Sequence, residues 1–319
     1  MSVSKPAAIQ TAASKTYTSK PASYKSFYRQ RVWVGYICIL PAILGIFLFT
    51  IGPMLYSLYL SFTDWNILTD AKWIGLANYT NIFTQDLFFY NSLKATAIYS
   101  VGAVAASMIY AFIIALFLNQ NIKGRSLFRA IFFIPSIIPV LASSILWTWL
   151  YDVDFGVINH ILGWFGIEKQ LWIGSPQTSV MSLIILAVWG SGNVIVIFLA
   201  GLQDVPQHLH EAVEIDGGNW WHKLRAVTIP LMTPIIFYNV ILGLVNSFTT
   251  FTQAYTMTKG GPEDSTLFYA FFIHREAFEH QSMGYACALA WILFVIISLL
   301  TYLLFKSSSG WVHYEGGKS

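Results

Sequence analysis

Asp204-Val-Pro-Gln-His-Leu-His-Glu211-Ala-Val-Glu-Ile-Asp216-Gly-Gly-Asn-Trp-Trp-His-Lys-Leu-Arg225-Ala-Val-Thr-Ile-Pro230 is a polar island between two long apolar runs. Residues 170–203 before it and 226–258 after it lack Asp, Glu, Lys and Arg altogether. The island has an internal plan. Asp204 can cap a helix, and Pro206 is tolerated in a first turn. Leu209, Ala212 and Val213 then share one apolar face at helical spacing, while Glu211 and Glu214 point elsewhere. Gly217 and Gly218 break that helix. Asn219 can cap a second one carrying Trp220, Trp221 and Leu224, and Pro230 opens the next apolar run. The pattern predicts two short helices at an angle, lying under a membrane.

The flanking runs extend that reading to the whole chain. A membrane helix needs ~20 residues with few or no charges. Charge-free runs cover 32–63, 95–122, 130–151, 170–203, 226–258 and 280–305. Only 10% of the 319 residues are charged and 56% are hydrophobic, where a soluble domain carries about 25% charged residues. Mean hydropathy is +0.59. The 12 Trp and 17 Tyr suit a protein that anchors itself at two membrane interfaces. The fold expected is an all-α membrane protein with six transmembrane helices. The less apolar stretch 72–90 reads as an external loop or surface helix.

Six spans put both termini on one side, and basic residues choose the side. With cytoplasmic termini, 13 of the 18 Lys and Arg lie inside, leaving Lys72, Lys94, Lys169, Lys259 and Arg275 outside. Of 15 acids, 10 then lie outside. Both termini are therefore expected in the cytoplasm, which makes 203–229 a cytoplasmic loop. Residues 1–31 are polar, lack a signal-peptide core, and read as a retained flexible tail or a short amphipathic surface segment. The layout expected is a tail (1–31), a six-helix transmembrane domain (32–306) and a second tail (307–319). Cys38 and Cys287 sit in apolar runs without metal or redox spacing and read as small packing residues.

Taken with its neighbours, the island supports a closer comparison. Glu211-Ala-Val-x-x-Asp216-Gly217, followed by Ile229-Pro230 and Pro234, resembles the E-A-A-x-x-D-G-A loop of binding-protein-dependent ABC importer permeases. Val213 and Gly218 depart from that pattern, where Ala is usual, and Leu224 stands where an aromatic is common. Trp73-Ile-Gly-Leu-x-Asn78-Tyr79 and Thr258-Lys-Gly260-Gly261-Pro262 are similar to elements of the carbohydrate-uptake (maltose and glycerol-phosphate) type, as are Phe278 and Gly284-Tyr-Ala. The likeness covers roughly 32–306 and is strongest to the first of the two permease subunits, with alginate-oligosaccharide importers among the candidate branches. It implies a multi-pass protein of the bacterial inner membrane. It also implies that Glu211, Ala212, Val213, Asp216 and Gly217 form a coupling helix seated in an ATPase subunit. ATP and Mg would be bound by that ATPase, with no cofactor in this chain. The implied partners are a second homologous permease, two ATPase subunits and an external or periplasmic solute-binding protein delivering a sugar-like solute, with membrane lipid around them.

The chain has no Gly-x-x-x-x-Gly-Lys-Ser/Thr loop, so an importer built from it must borrow its ATPase. No span carries a mid-membrane charge, which disfavours an ion-coupled carrier or channel. No nucleophile–base–acid set can be argued, which disfavours a membrane-embedded enzyme. The scattered histidines offer no metal spacing, and the basic residues are too few for nucleic acid. A solute path must then come from polar groups within the spans. In the fifth, Gly243, Ser247, Thr250 and Gln253 fall broadly on one helix face, with Asn246 beside them. In the fourth, Trp189, Gly190, Ser191 and Asn193 cluster. Amides and hydroxyls can bind sugar hydroxyls and an indole can stack on a sugar ring. Small polar residues also glue membrane helices together, so packing is the competing account of each.

Overall fold

A computed structural model describes residues 24–312 of the chain, with side chains from Arg31 onward. Among the described residues the regular structure is helical, apart from one short antiparallel pair, Thr63–Asp64 against Lys72–Trp73. The chain divides into two units after Tyr56. The first unit comprises the helix Tyr24–Ile46, a π turn Phe47–Ile51 and the start of the helix Gly52–Leu60. The opening helix thus begins within the 1–31 segment expected to be a flexible tail. Residues 1–23 and 313–319 lie outside the described residues. Trp33, Ile37 and Phe49 of this unit stand exposed, as does Cys38. Such a surface suits hydrocarbon.

Among the described residues, four helices are long and apolar enough to cross a membrane: Arg31–Leu60, Leu87–Asn119, Trp220–Phe248 and Met283–Ser308. Two further helix pairs qualify only together. Arg125–Ile137 and Val140–Leu150 are bent by 100°, and Pro176–Trp189 and Gly192–Asp204 by 48°. The spans number six if each bent pair is one crossing. The expected third and fourth spans are therefore broken rather than continuous. The physical reason is visible in the third: Pro139 cannot donate to the helix and drives Ile138 out of the helical region, to ψ 129°. The fifth run also differs from expectation. Its helix ends at Phe248, and 249–251 are unwound before the π turn Ala254–Thr258.

The helix Leu87–Asn119 is the spine of the second unit. Asp86 caps it, accepting from the backbone N–H of Phe88 and Phe89. One end lies in a large aromatic cluster with Phe89, Tyr99, Phe268, Tyr269 and Phe272. The other lies in a second cluster, where Ala111 and Ala115 are fully buried against Ile195, Phe198 and Met232. Small residues let helix backbones approach closely in a medium that supplies little hydrophobic drive. Gly192 makes such an approach: a Cβ there would stand 2.8 Å from the Phe132 carbonyl oxygen.

Two sequence motifs prove to be loop clamps. Asn78 donates from Nδ2 to the carbonyls of Ser61 (2.9 Å) and Thr63 (3.0 Å), and the Tyr79 hydroxyl pairs with Ser61 Oγ. Thr258 and Thr266 join hydroxyls across the Gly260-Gly261-Pro262 turn, where Gly260 has φ +85°. Gly284 meets the Thr63 carbonyl so closely that no side chain fits, and its N–H donates to Trp65. Tyr269, outside the spans, is held protonated well above the ordinary phenol range by burial, with the Asp86 carboxylate adding to the effect.

Candidate functional site

The three irregularities converge. Ile138 at the first break, Gly190 and Ser191 at the second, and Thr249, Thr250 and Phe251 at the third all line one cavity of about 630 Å³. In hydrocarbon an unpaired backbone group costs about 2–7 kcal/mol, so broken helices at membrane depth persist where they are buried in protein or border water. The cavity is that border. Its wall also contains Trp189, Gly243, Asn246, Ser247 and Gln253, and no charged side chain. Eight of the nine polar, small or aromatic span residues singled out in the sequence thus meet here. Asn193 does not: it is exposed and lies outside the lining, because the 48° bend restarts the helix at Gly192 and turns Asn193 away. Thr250 and Gln253 reach the cavity by the unwinding after Phe248, not by continuing a helix face.

Four hydroxyls of the wall are committed in one direction. Ser136 donates to Phe133 (2.8 Å), Ser143 to Val140 (3.0 Å), Ser247 to Leu244 (2.9 Å) and Thr250 to Asn246 (3.2 Å), each a carbonyl of its own segment. What they offer the cavity is oxygen lone pairs, suited to O–H donors on a guest. Trp189 stands partly exposed in the wall, its ring edge-on to Trp147 at 5.7 Å. Gly243 has a packing role as well, since a Cβ there would come 3.3 Å from Val104. Ser136, Ser143 and Tyr99 are lining residues that sequence reasoning missed. The signal was present in Pro135 and Pro139, two prolines inside one apolar run.

The 203–229 segment lies at the other end of the spans. Its first helix is Gln207–Ile215. Asp204 does not cap it; Asp204 ends the preceding helix, and Pro206 takes the cap position without a side-chain bond. The helix closes through paired bonds, Gly218 N–H to Val213 and Gly217 N–H to Glu214, with Gly217 at φ +78°. This is the left-handed glycine stop common at helix C-termini. The two departures from the family pattern face each other here. A Cβ on Gly218 would lie 2.5 Å from Val213 Cγ1 and 2.8 Å from the Val213 carbonyl. Asn219 caps the next helix together with His222, but that helix is not a separate short one. It passes through a π turn, Leu224–Thr228, directly into the fifth span. Lys223 and Glu214 form an ion pair between the two helices.

Glu211 and Ala212 are exposed on the first helix, Asp216 and Gly217 are exposed at its end, and Val213 is half-buried beneath Gly218. Glu211 is steadied by Gln207, whose Nε2 donates to it at 3.0 Å. The exposed stripe also holds Ile215, at 86% exposure, one turn on from Glu211 and Ala212, and Trp220 and Trp221 flank it. Sequence reading passed over Ile215 because it lies off the Leu209/Ala212/Val213 face. Behind the loop, with its amide oxygen turned to them, Gln203 accepts from Arg125 (2.9 Å) and Arg129 (2.8 Å).

A family model described as the binding-protein-dependent transport system inner membrane component matches residues 103–309, which holds the cavity's three breaks and the whole loop. The chain belongs to this family. It is a multi-pass inner-membrane permease subunit of the ABC type, non-catalytic, working with ATPase subunits and a solute-binding protein. This permease is 43% identical over 285 residues to the probable ABC transporter permease protein YesP of Bacillus subtilis, covering 88% of this chain and 92% of that one. It is 31% identical to the trehalose/maltose transport system permease protein MalF of Thermococcus litoralis, covering 86% and 90%. Among solved structures, one of a bacterial ABC transporter importing the acidic polysaccharide alginate superposes with a TM-score of 0.79, over 89% of this chain and 97% of that one. At 20% identity that likeness shows a shared fold.

Proposed function

We propose that the permease forms half of the path for a sugar or oligosaccharide delivered by an external binding protein, and that the cavity at the three helix breaks is where the solute passes. The observation that carries the reading is the convergence of Ile138, Gly190, Ser191, Thr249, Thr250 and Phe251 on one uncharged, hydroxyl-lined space. A protein needs a polar guest to justify unwinding three spans at one depth. Carbohydrate permeases among the relatives, from Thermococcus litoralis and Streptococcus mutans, agree with a saccharide. A second, similar permease supplies the other wall, two ATPase subunits bind ATP and Mg, and the 203–229 loop transmits their motion. Both termini and that loop lie in the cytoplasm. Trp189, Gly190, Gly243, Asn246, Ser247, Thr250 and Gln253 are the path residues of this half; Glu211, Ala212, Val213, Asp216 and Gly217, joined by Ile215, are the coupling surface.

The test is ATP-dependent uptake of labelled maltodextrin, arabino- and alginate-derived oligosaccharides in proteoliposomes of the assembled transporter with its binding protein. Thr250→Leu and Gln253→Leu remove hydrogen-bonding groups without adding charge. Uptake is expected to fall at least tenfold with the ATPase still bound. Parental uptake in both variants would reduce this wall to packing.

A further inference from the structure

A series of ring contacts leads out of the cavity, one pair stacked and the others tilted or edge-on. It starts at Phe251, which lines the cavity wall. Phe251 and Tyr255 lie face to face, 5.3 Å apart at 26°. His274 closes on both rings, 4.7 Å from Phe251 and 5.6 Å from Tyr255. Phe278 follows at 4.9 Å from His274. Phe271, only 3% exposed, anchors the stack from the core side. Tyr255 is 46% exposed and Phe278 62%, with His274 between them partly buried.

The backbone beneath the stack is unusual in the same places. Tyr255 sits in the π turn Ala254–Thr258 and Phe278 in the π turn Arg275–Glu279. Such turns are rare and concentrate at functional sites, because the extra residue re-aims a side chain. Tryptophan and tyrosine at a membrane interface would explain exposed rings alone. It would not explain two π turns, nor face-to-face continuity with a cavity residue. The chemistry suits one class of guest. The C–H faces of pyranose rings stack on neutral aromatic faces with little directional demand, so a chain of sugars can move from ring to ring.

We propose that Phe251, Tyr255, His274 and Phe278 form a stacking track along which a saccharide passes between the cavity and the end of the spans opposite the 203–229 loop. The track rests on the reading of the cavity as the solute path. It is tested with single cysteines, Thr250→Cys, Tyr255→Cys and Phe278→Cys, in a variant lacking Cys38 and Cys287. The second permease and the ATPase are co-expressed, and right-side-out and inside-out vesicles receive a membrane-impermeant maleimide. Labelling of all three sites, with the two track sites reached from one common face, is the expected result. Labelling of Thr250→Cys alone, with the other two reached only by a lipid-soluble maleimide, overturns the track and leaves the cavity standing. Labelling of none overturns both. In uptake of the oligosaccharide that the parental transporter accumulates, Tyr255→Leu and Phe278→Leu should raise the half-saturating concentration roughly three- to tenfold. The maximal rate should stay within twofold, and Tyr255→Phe should restore the parental value. A fall in maximal rate with unchanged half-saturation marks a merely structural role and overturns the proposal.

Discussion

At the scale of single residues, two glycines decide close contacts that the sequence pattern alone did not show. Gly218 looked like a neutral departure from a family pattern in which Ala is usual. The structure shows why glycine stands there: a Cβ would meet both Val213 Cγ1 and the Val213 carbonyl. Overpacking of this kind costs about 1–3 kcal/mol. Gly218→Ala should therefore splay the stop of the Gln207–Ile215 helix and lower ATPase retention on purification about threefold or more. Val213→Ala/Gly218→Ala relieves the methyl contact but not the carbonyl, so it should recover only part of that loss. Full retention in Gly218→Ala would show that the two residues do not constrain the loop. Gly192 is the counterpart in the spans, held against the Phe132 carbonyl. The Gly192 contact depends on backbones brought together from far apart in sequence, and no local pattern encodes it.

At the scale of elements, the sequence was most informative where chemistry is local. The charge-free runs, the glycine stop at Gly217 and the Asn219 cap were all legible, because each rests on neighbouring residues. The breaks were less so. Charge-free length says that a segment suits lipid, and it is silent on whether the helix inside it is continuous. Pro139 was the one local warning, and the unwinding at 249–251 has no comparable marker. The same continuity turned the expected second loop helix into the start of the fifth span. On the proposed coupling route, a load on the Gln207–Ile215 helix would reach the cavity through the continuous helix Trp220–Phe248. Ile215, 86% exposed beside Glu211, should carry much of the apolar contact. Ile215→Asp and Glu211→Ala should each leave the permease folded and cut ATP hydrolysis by the assembled transporter, Ile215→Asp at least fivefold. Gly217→Val should be more severe, since a branched side chain resists φ +78°. Parental hydrolysis in all three would remove the loop from the coupling route.

At the scale of the whole molecule, the solute route requires an oriented bundle, with the loop at one end and the cavity at the helix breaks within it. Basic residues divide 13 to five in favour of cytoplasmic termini. Cysteines at Asp264, which the proposed orientation puts outside, and at Glu211, which it puts in the cytoplasm, report the orientation in a variant lacking Cys38 and Cys287. An impermeant thiol reagent added outside spheroplasts should label only the first, and labelling of the second would invert the molecule. The family and the fold follow from the chain's own relatives. The route of the solute is the central claim, and blocking it is the most direct measurement. Thr250→Cys, in the assembled transporter and the same cysteine-free background, is reacted with a bulky impermeant maleimide, and ATP-dependent oligosaccharide uptake is measured before and after. The account expects uptake to fall to background while the ATPase stays bound; full labelling with unchanged uptake would contradict it.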